Sequence, residues 1–204
     1  MNNKNVVNYA CLAAMFAASG VVQAEKVIEE VVVTATKKSV QLRDLAGAAN
    51  VISGDAVQAG AVENVRDLIA SVPSLSIGDQ FGFARVFMRG IGMTSIDIGG
   101  EGAVSFLQDG AIVPRPAAQL MGMFDLDQIE VLRGPQGTLY GRGATAGAIN
   151  MVTTKPGREL GGYARFTAGN FGLSTFEGAV DIPLNKDFAV RFATKIEQRD
   201  GFGE

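Results

Sequence analysis

The residues with the clearest chemical potential are a set of closely spaced glycines. Gly141, Gly143 and Ala146 fit the pattern G-x-G-x-x-A, which lets a backbone approach the pyrophosphate of a dinucleotide. That function also requires a strand just before the pattern and a helix just after it. Here only the short run Thr138 to Tyr140 precedes the pattern, and a β-branched run follows it. The missing helix argues against a nucleotide-dependent enzyme, and we expect the protein to retain no cofactor.

Composition removes several other classes of site. The 204 residues include no histidine, which excludes histidine-dependent catalytic triads and histidine-ligated zinc. A single cysteine, Cys11, allows no disulfide framework. The formal net charge of -3, without a basic run, argues against a nucleic-acid surface. We therefore expect no histidine-dependent catalytic residues, no metal site and no nucleic-acid partner.

The glycines lie in the stretch from Asp127 to Pro156, between two predicted strands that must hold them in place. Alternation over Gln128 to Arg133 predicts a strand, with Glu130 on the face opposite to Ile129. Closely spaced glycines permit positive φ, so the middle of the stretch is predicted to be a folded loop rather than a helix. A second β-branched run, Ile149 to Thr154, predicts another strand.

Residues 1–24 are typical of a secretory signal peptide. Lys4 supplies the positive charge, Tyr9 to Ala18 form the apolar region, and Val22-Gln23-Ala24 is a small-residue cleavage site. The apolar run is shorter than the roughly 20 residues that a membrane anchor needs. We therefore expect export and removal after Ala24.

Two stretches of this chain resemble the closing segment of the plug domain of TonB-dependent outer-membrane receptors. They are I-E-V-L-R-G-P-Q-G-T-L-Y-G-R-G-A from Ile129 to Ala144, and A-G-A-I-N-M-V-T-T-K-P from Ala146 to Pro156. One departure is Gly143, where the family usually has asparagine. The resemblance implies an α+β plug domain over residues 41–156, a small mixed sheet with short helices. It also implies that residues 157–204 form the first antiparallel strands of an incomplete transmembrane β-barrel.

Residues 25–40 contain a β-prone segment with two possible roles. Its centre reads E-V-V-V-T-A and consists of Glu30, Val31, Val32, Val33, Thr34 and Ala35. One interpretation is a buried first strand. The resemblance implies instead a TonB box, a flexible periplasmic segment that the energy-coupling protein TonB captures. Capture by β-augmentation suits such a segment, because main chain pairs with main chain and the composition need only favour extension.

Patterns before Asp127 predict the remaining plug elements. A strand over Ala48 to Ile52 leads into a short helix capped by Ser53 to Asp55. A second helix over Val62 to Val72 is predicted to have an apolar face, formed by Val62, Val65, Leu68, Ile69 and Val72.

Two turn regions are also predicted in the plug. Strands Leu75 to Ile77 and Arg85 to Met88 flank an expected loop, Gly78 to Ala84. Asp109-Gly110 predicts a two-residue hairpin turn. Pro114 to Met123 is expected to be a loop or short helix.

After Pro156 the sequence changes to alternating segments. Tyr163 to Ala168, Ser174 to Leu184 and Phe188 to Gln198 each alternate, and the third has an apolar and a charged face, as a membrane barrel strand needs. A soluble amphipathic sheet alternates in the same way, and the family's plug-to-barrel order favours the barrel. Three strands cannot close a barrel, since the smallest need about eight. We expect the chain to be the N-terminal portion of a receptor.

The resemblance implies roles for individual side chains. Arg89 and Arg133 stand at arginine-glycine steps that in the family anchor the plug to glutamates of the barrel wall; the alternative is a solvated surface charge. The loops that meet the substrate correspond to residues 79–83 and 113–119, with Asp79, Gln80, Phe81 and Arg115 as candidate contacts. An arginine there suits an anionic ferric chelate.

These expectations combine into one function and one alternative. The resemblance implies TonB-dependent active uptake of a scarce small molecule, such as a ferric siderophore, with the plug gating a barrel in the outer membrane. Because the energy comes through TonB, no enzyme activity is expected. The alternative is a soluble periplasmic binding or regulatory module that uses the plug fold without a barrel.

Overall fold

The computed structural model describes residues 32–35, 37, 40–45, 47–60, 62, 64–93, 102–120 and 123–201. The expected signal peptide, Glu30 and Val31 lie outside these residues. In chain order the described strands are β1 (Val32–Val33), β2 (Val40–Gln41), β3 (Ala48–Ser53), β4 (Leu75–Gln80), β5 (Phe83–Met88), β6 (Ile91–Gly92), β7 (Val104–Gln108), β8 (Ala111–Ile112), β9 (Leu126–Arg133), β10 (Gly147–Thr153), β11 (Gly161–Ala168), β12 (Ser174–Pro183) and β13 (Ala189–Gln198). The described α-helices are α1 (Gly54–Gln58), α2 (Leu68–Ser71) and α3 (Gly137–Tyr140).

A mixed five-stranded sheet forms the centre of the first part of the chain. Its strand order is β3-β9-β10-β7-β8. Strands β7 and β10 are parallel, whereas the other neighbours are antiparallel. The α-helices around this sheet have only four or five residues. A small mixed sheet with short helices is the α+β architecture that the sequence predicted, so that prediction is confirmed.

Strand β9 is buried on both faces. Ile129 and Val131 lie fully buried in the larger of two apolar clusters. On the opposite face, Leu132 packs in a second cluster with Val33 and Tyr140. Full burial of each large apolar side chain stabilises the fold by about 1.5–3 kcal/mol. The strand predicted over Gln128 to Arg133 is therefore the central layer between two cores.

The helices are shorter than their apolar patterns predict. Ser53 caps α1 as expected, its hydroxyl oxygen accepting from Ala56 N at 3.4 Å. The helix predicted over Val62 to Val72 is a 3-10 turn, Val65–Asp67, continued by α2. Ile69 is 43% exposed, so its assignment to the apolar face was wrong: in so short a helix only the Val65 and Leu68 side reaches the core. No helix in the described ranges is long and apolar enough to cross a membrane.

Of the two hairpins β4-β5 and β7-β8, the turn residues in the sequence predicted only the second. The Asp109-Gly110 turn between β7 and β8 is confirmed, with φ of 50° and 80°. The prediction of a loop over Gly78 to Ala84 is wrong, because strands β4 and β5 extend into this stretch and are joined by a two-residue turn at Phe81-Gly82. Phe81 has φ of 55°, which a bulky side chain rarely adopts, so nothing in the sequence signalled so tight a turn.

The glycine-dense middle contains more helix than predicted. It forms α3 and a 3-10 turn over Arg142–Ala144. Gly134 and Gly141 have φ of 121° and 74°, so glycine is required where the chain enters and leaves α3. Strand β10 follows at once, and the helix that a dinucleotide site needs after its glycines is absent from these described residues.

Strands β11, β12 and β13 form a separate antiparallel sheet in the order β11-β12-β13. All three strands predicted after Pro156 are confirmed within one or two residues. Phe192 and Ile196 point outward, 62% and 64% exposed. The opposite face carries charged residues and lines a cavity of about 520 Å³ whose other wall includes α1. The apolar and charged faces thus lie on the two sides that the alternation predicted.

We predict that Gly54→Ala destabilises the plug sheet. A β-carbon at Gly54 would lie 2.3 Å from Leu126 O and 2.7 Å from Asp127 O, and these backbone atoms of β9 cannot move aside cheaply. The expected loss is about 1–3 kcal/mol of unfolding free energy. Urea unfolding of the full chain in detergent micelles measures it.

Gly137→Ala is the matched control, because a β-carbon there meets nothing within 4 Å. In a helix this change leaves stability unchanged or raises it by up to about 1 kcal/mol. Equal unfolding midpoints for the two variants would contradict the packing of α1 against β9.

Candidate functional site

The candidate site lies where the start of the described chain crosses the second face of β9. Strand β1 pairs with β2 in an antiparallel register, Val32 opposite Gln41 and Val33 opposite Val40. Val33 and Ala35 are fully buried in the second apolar cluster. The β-branched side chains thus favour an extended segment whose alternate residues enter the core.

The carboxylate of Glu130 accepts the hydrogen bonds that hold this segment on the sheet. Its side chain is fully buried. One carboxylate oxygen accepts from Thr34 N at 2.6 Å and from Thr34 Oγ1 at 3.0 Å, and the other accepts from Ala35 N at 2.6 Å. Gln128 and Asn150 side-chain amides donate as well, at 2.6 and 3.0 Å. Five neutral donors therefore replace the water that a buried carboxylate loses.

Gln128 and Tyr140 hold the carbonyl groups of the same segment. Gln128 Nε2 donates to Val32 O at 2.8 Å, and the Tyr140 hydroxyl donates to Ala35 O. Lys37 Nζ lies 5.3 Å from the centre of the Tyr140 ring. Burial raises the pKa of Tyr140 above its ordinary value, and the negative charge of Glu130 raises it further. Tyr140 therefore stays a neutral donor.

These contacts bear directly on the segment predicted to be a TonB box. Glu30 and Val31 lie outside the described residues. In this structure Val33 and Ala35 are buried, Val32 and Thr34 are exposed, and the backbone of Thr34 and Ala35 is hydrogen-bonded to the plug. Whether TonB captures the segment stays a prediction.

The candidate substrate contacts lie on two neighbouring elements. Asp79 accepts from Arg66 Nη2 at 2.7 Å, and Gln80 Oε1 accepts from Arg85 Nη1 at 3.0 Å, so both side chains brace the β4-β5 hairpin. Phe81, at the tip of the hairpin, is 86% exposed.

The second predicted contact loop lies beside the same hairpin. Ala84 N donates to Pro116 O at 3.4 Å, which places the loop of Arg115 next to β5. Arg115 is itself exposed. The structure thus brings the two predicted loops together, with Phe81 and Arg115 on their outer surface.

The two predicted anchor arginines also lie near each other. Arg89 is exposed with φ of 54°, and its guanidinium lies beside the backbone of Gly134, the residue after Arg133. Arg133 is half-buried, and its Nε has no hydrogen-bond partner among the described residues. No acidic partner for either arginine occurs in the described part of the chain, so their anchoring role stays a prediction.

A connection between the plug and the outer sheet was missed by the sequence analysis. Arg191 of β13 binds Asp125, which precedes β9, through Nε and Nη2, with Nε at 2.9 Å from Oδ2. Arg191 Nη1 also donates to Asp181 of β12 at 2.7 Å. The three side chains are 9–14% exposed. Thr154 N donates to the Asp125 carbonyl at 3.1 Å, so this ionic cluster lies at the connection between the two sheets.

Some of the missed residues left a signal in the sequence. Glu130 is the one charged residue within the run Ile129 to Leu132, and a charge in a strand buried on both faces must have donors. Arg191 stands on the charged face of its strand. No sequence pattern marked Asp125, because its partner Arg191 lies 66 residues away in the sequence and only the folded chain brings the two side chains together. Within the described ranges, no group of three or more acidic or cysteine side chains is placed to hold a metal ion.

Comparison with known proteins agrees with this architecture. The family model described as TonB-dependent Receptor Plug Domain matches residues 41–148. The chain is 34% identical over 140 residues to the pesticin receptor of Yersinia pestis, covering 65% of this chain and 20% of that receptor. It is 25% identical over 181 residues to the vitamin B12 transporter BtuB of Vibrio vulnificus (strain CMCP6), covering 85% and 28%.

Solved structures show the same similarity. The ferric yersiniabactin uptake receptor FyuA from Yersinia pestis superposes with a TM-score of 0.63 at 25% identity, covering 72% of this chain and 24% of that receptor. The ferric-catecholate import receptor Fiu from E. coli K12 gives a TM-score of 0.62 at 26% identity, covering 80% and 23%. The chain spans about a quarter of the length of these relatives.

We predict that Arg191→Met weakens the attachment of β13 to the plug. The change leaves the buried carboxylate of Asp125 without its cation, which should cost about 3–5 kcal/mol of unfolding free energy. Lys195→Met is the control on the same strand, because Lys195 makes only a 3.9 Å contact with Glu197 and its loss should cost less than about 1 kcal/mol. Equal losses in urea unfolding would refute a special role for Arg191.

We also predict that Tyr140 ionises above its ordinary pKa of 10.0. Since the folded-state pKa is raised over the unfolded one, the stability contributed by neutral Tyr140 is fully present below about pH 10 and is lost as the pH rises through the folded pKa. Ultraviolet titration of the chain minus that of Tyr140→Phe isolates this hydroxyl. An apparent pKa at or below 10.0 would contradict the buried donor.

Proposed function

This chain belongs to the family of TonB-dependent receptors, and from that premise we propose that it forms the plug and first barrel strands of an outer-membrane transporter. The transporter takes up a scarce small molecule with energy supplied through TonB. The observation that carries the proposal is a plug-type sheet, matched over residues 41–148, that leads directly into three antiparallel strands with one apolar and one charged face. Such a function needs no catalytic residue.

The substrate that we propose is a ferric chelate such as a ferric siderophore. The relatives include receptors named for ferric yersiniabactin and for ferric catecholates, beside a vitamin B12 transporter. Phe81 and Arg115 offer an exposed aromatic ring and an exposed cation on adjacent loops, which suits an anionic chelate with apolar parts. Asp79 and Gln80 shape that surface by bracing the hairpin.

Coupling to TonB is proposed for the segment Glu30 to Ala35. The part of it in β1 is extended, and an extended main chain is what β-augmentation requires. The segment lies on the face of the plug sheet rather than within it, so its removal leaves the five-stranded pairing intact. Pulling on the segment would then act on the plug through the contacts to Glu130.

Gating requires that part of the plug stays attached while part of it moves. We propose that Arg89 and Arg133 contact acidic groups of a barrel wall. The cluster of Arg191, Asp125 and Asp181 supports a further fixed point, because it joins the end of the plug to the outer sheet through a buried bidentate ion pair.

The proposed site of action is the outer membrane, reached by export and removal of residues 1–24. The outward side chains of the last sheet support this location, since Phe166, Phe188, Phe192 and Ile196 are each more than 60% exposed. An apolar band of this kind suits contact with lipid.

We predict that a cysteine replacing Val32 crosslinks to the periplasmic domain of TonB. Val32 is 36% exposed, whereas Val33 is fully buried, so Val32 is an accessible apolar position of the segment. In a Cys11→Ser background, the Val32→Cys chain carries one thiol, to which a photoreactive group is attached. The expected result is an adduct between this chain and the TonB domain after irradiation.

Ile69→Cys is the matched control, because Ile69 is an apolar plug residue that is 43% exposed outside the segment. Equal adduct yields at both positions, or no adduct at Val32, would contradict the box. Cell fractionation tests the location: a heat-modifiable outer-membrane species supports the transporter, and a stable periplasmic monomer supports the soluble module instead.

A further inference from the structure

The cavity of about 520 Å³ between the outer sheet and α1 has one charged wall. Its volume lies within the roughly 300–1,000 Å³ that is typical of small-molecule sites. The wall formed by β11, β12 and β13 includes cations, carboxylates and hydroxyl groups, carried by Arg165, Lys195, Glu177, Glu197, Thr167 and Thr175. A wall of this composition suits a charged ligand rather than an apolar one.

The wall on the plug side is neutral. Its described lining comes from the C-terminal end of α1, the residues that follow it and Met123, and none of these side chains carries a charge. The last carbonyl groups of α1 already accept from Ala59 N and Gly60 N, at 2.8 and 3.1 Å. Across the cavity, the plug therefore offers no counter-charge to the cations of the outer sheet.

Arg165 is a half-buried cation on the charged wall. It stands opposite Glu177 in the β11-β12 register, but Glu177 Oε1 accepts from the Tyr163 hydroxyl at 2.7 Å. Among the described residues Arg165 forms no ion pair, whereas Arg191 on the same face forms two. Charged side chains are rarely buried without a partner, so the guanidinium of Arg165 favours binding of an anion in the cavity.

Lys195 flanks Glu177 on its other side, in the β12-β13 register. Its side chain is 15% exposed, and its 3.9 Å contact with the half-exposed Glu197 is long for an ion pair. Neighbouring strands are about 4.8 Å apart, so the backbones of Arg165 and Lys195 are separated by about 10 Å, with Glu177 between them. A compact anion midway would face the charge of Glu177, whereas an anion with carboxylates at both ends meets one cation at each end.

We propose that this cavity is a binding site for a small polycarboxylate anion, held at its two ends by Arg165 and Lys195. The inference goes beyond the proposed function, because it depends neither on TonB nor on transport. The site is separate from the loop surface of Phe81 and Arg115, since neither residue lines the cavity.

Two hydroxyl groups add neutral donors to the site. Thr167 stands opposite Thr175 in the β11-β12 register, and both side chains line the cavity beside the row of Arg165. A threonine hydroxyl rotates to suit its partner and can donate to a carboxylate. Cations and hydroxyl donors therefore lie on a single sheet, so the site is positioned by strand pairing rather than by a loop.

Arg165→Gln and Lys195→Met each remove one cation of the site. Arg158→Gln is the matched control, because Arg158 is an exposed arginine outside the cavity whose guanidinium donates to Lys186 O. If Arg165→Gln does not fold, as judged by circular dichroism, Lys195→Met carries the test, since it loses only the 3.9 Å contact with Glu197.

Glu177→Gln tests the site in the opposite direction. The amide oxygen can still accept from the Tyr163 hydroxyl, so the change removes the negative charge between the two cations with little change in shape. We expect this variant to bind the anion severalfold more tightly. A merely structural role of the charged row would predict no gain in affinity.

The probe is citrate, a tricarboxylate, and the comparison anions are acetate and inorganic phosphate. Isothermal titration calorimetry of the full chain in non-ionic detergent micelles, at neutral pH and low salt, measures each Kd. We expect acetate and phosphate to bind at least about tenfold more weakly than citrate. Arg165→Gln and Lys195→Met should each weaken citrate binding about tenfold, which corresponds to about 1.4 kcal/mol. Arg158→Gln should match the unaltered chain.

Several results would overturn the site. No citrate binding, or one Kd shared by the unaltered chain, Arg165→Gln and Lys195→Met, would refute it while leaving the proposed function intact. Phosphate binding as tight as citrate binding would refute the polycarboxylate class. Loss of citrate binding in Arg115→Gln, with Arg165→Gln unchanged, would place the anion on the loop surface instead.

Discussion

A fully buried carboxylate must be hydrogen-bonded, and this constraint organises the plug around Glu130. Strand β9 is covered on both faces, so Glu130 has no route to solvent. The donors that satisfy it come from Gln128 and Asn150 within the sheet and from the backbone of Thr34 and Ala35. The path of the first described residues is therefore set by a charge about one hundred residues later in the sequence.

A second buried charge, on Arg191, is satisfied in a different way. Its guanidinium is paired with two carboxylates, and the pair with Asp125 is bidentate. Neutral donors hold the N-terminal segment, whereas opposite charges hold the end of the plug to the outer sheet. Removing one partner of a buried ion pair leaves an uncompensated charge, which makes the ionic attachment costly to break. The plug thus has a strongly held end at its junction with the outer sheet and a docked segment at its start.

Under the proposed function, one attachment would be released by a pull on the segment while the other holds the end of the plug. Strand addition exchanges one set of main-chain hydrogen bonds for another, so the docked segment can leave without exposing unpaired backbone groups. The five-stranded sheet, with β9 and β10 at its centre, does not include β1 in its pairing. Release of the segment leaves the pairing of the five-stranded sheet intact but takes three of its five donors away from Glu130, and the ion pair keeps the end of the plug in place.

The sequence by itself determined the order and type of the longer strands, because alternation and turn residues are local. It located β9, β10, the Asp109-Gly110 hairpin and the three outer strands, and its resemblance to the plug family was correct. Local patterns failed at Ile69, at the Phe81-Gly82 turn and in the glycine-rich α3, where element length depends on what packs nearby. Only the tertiary structure decided that Glu130 would hold Thr34 and Ala35, and that Asp125 would meet Arg191. Partners so far apart in sequence are chosen by burial: a charge removed from water takes whichever donors or counter-charges the fold places within reach.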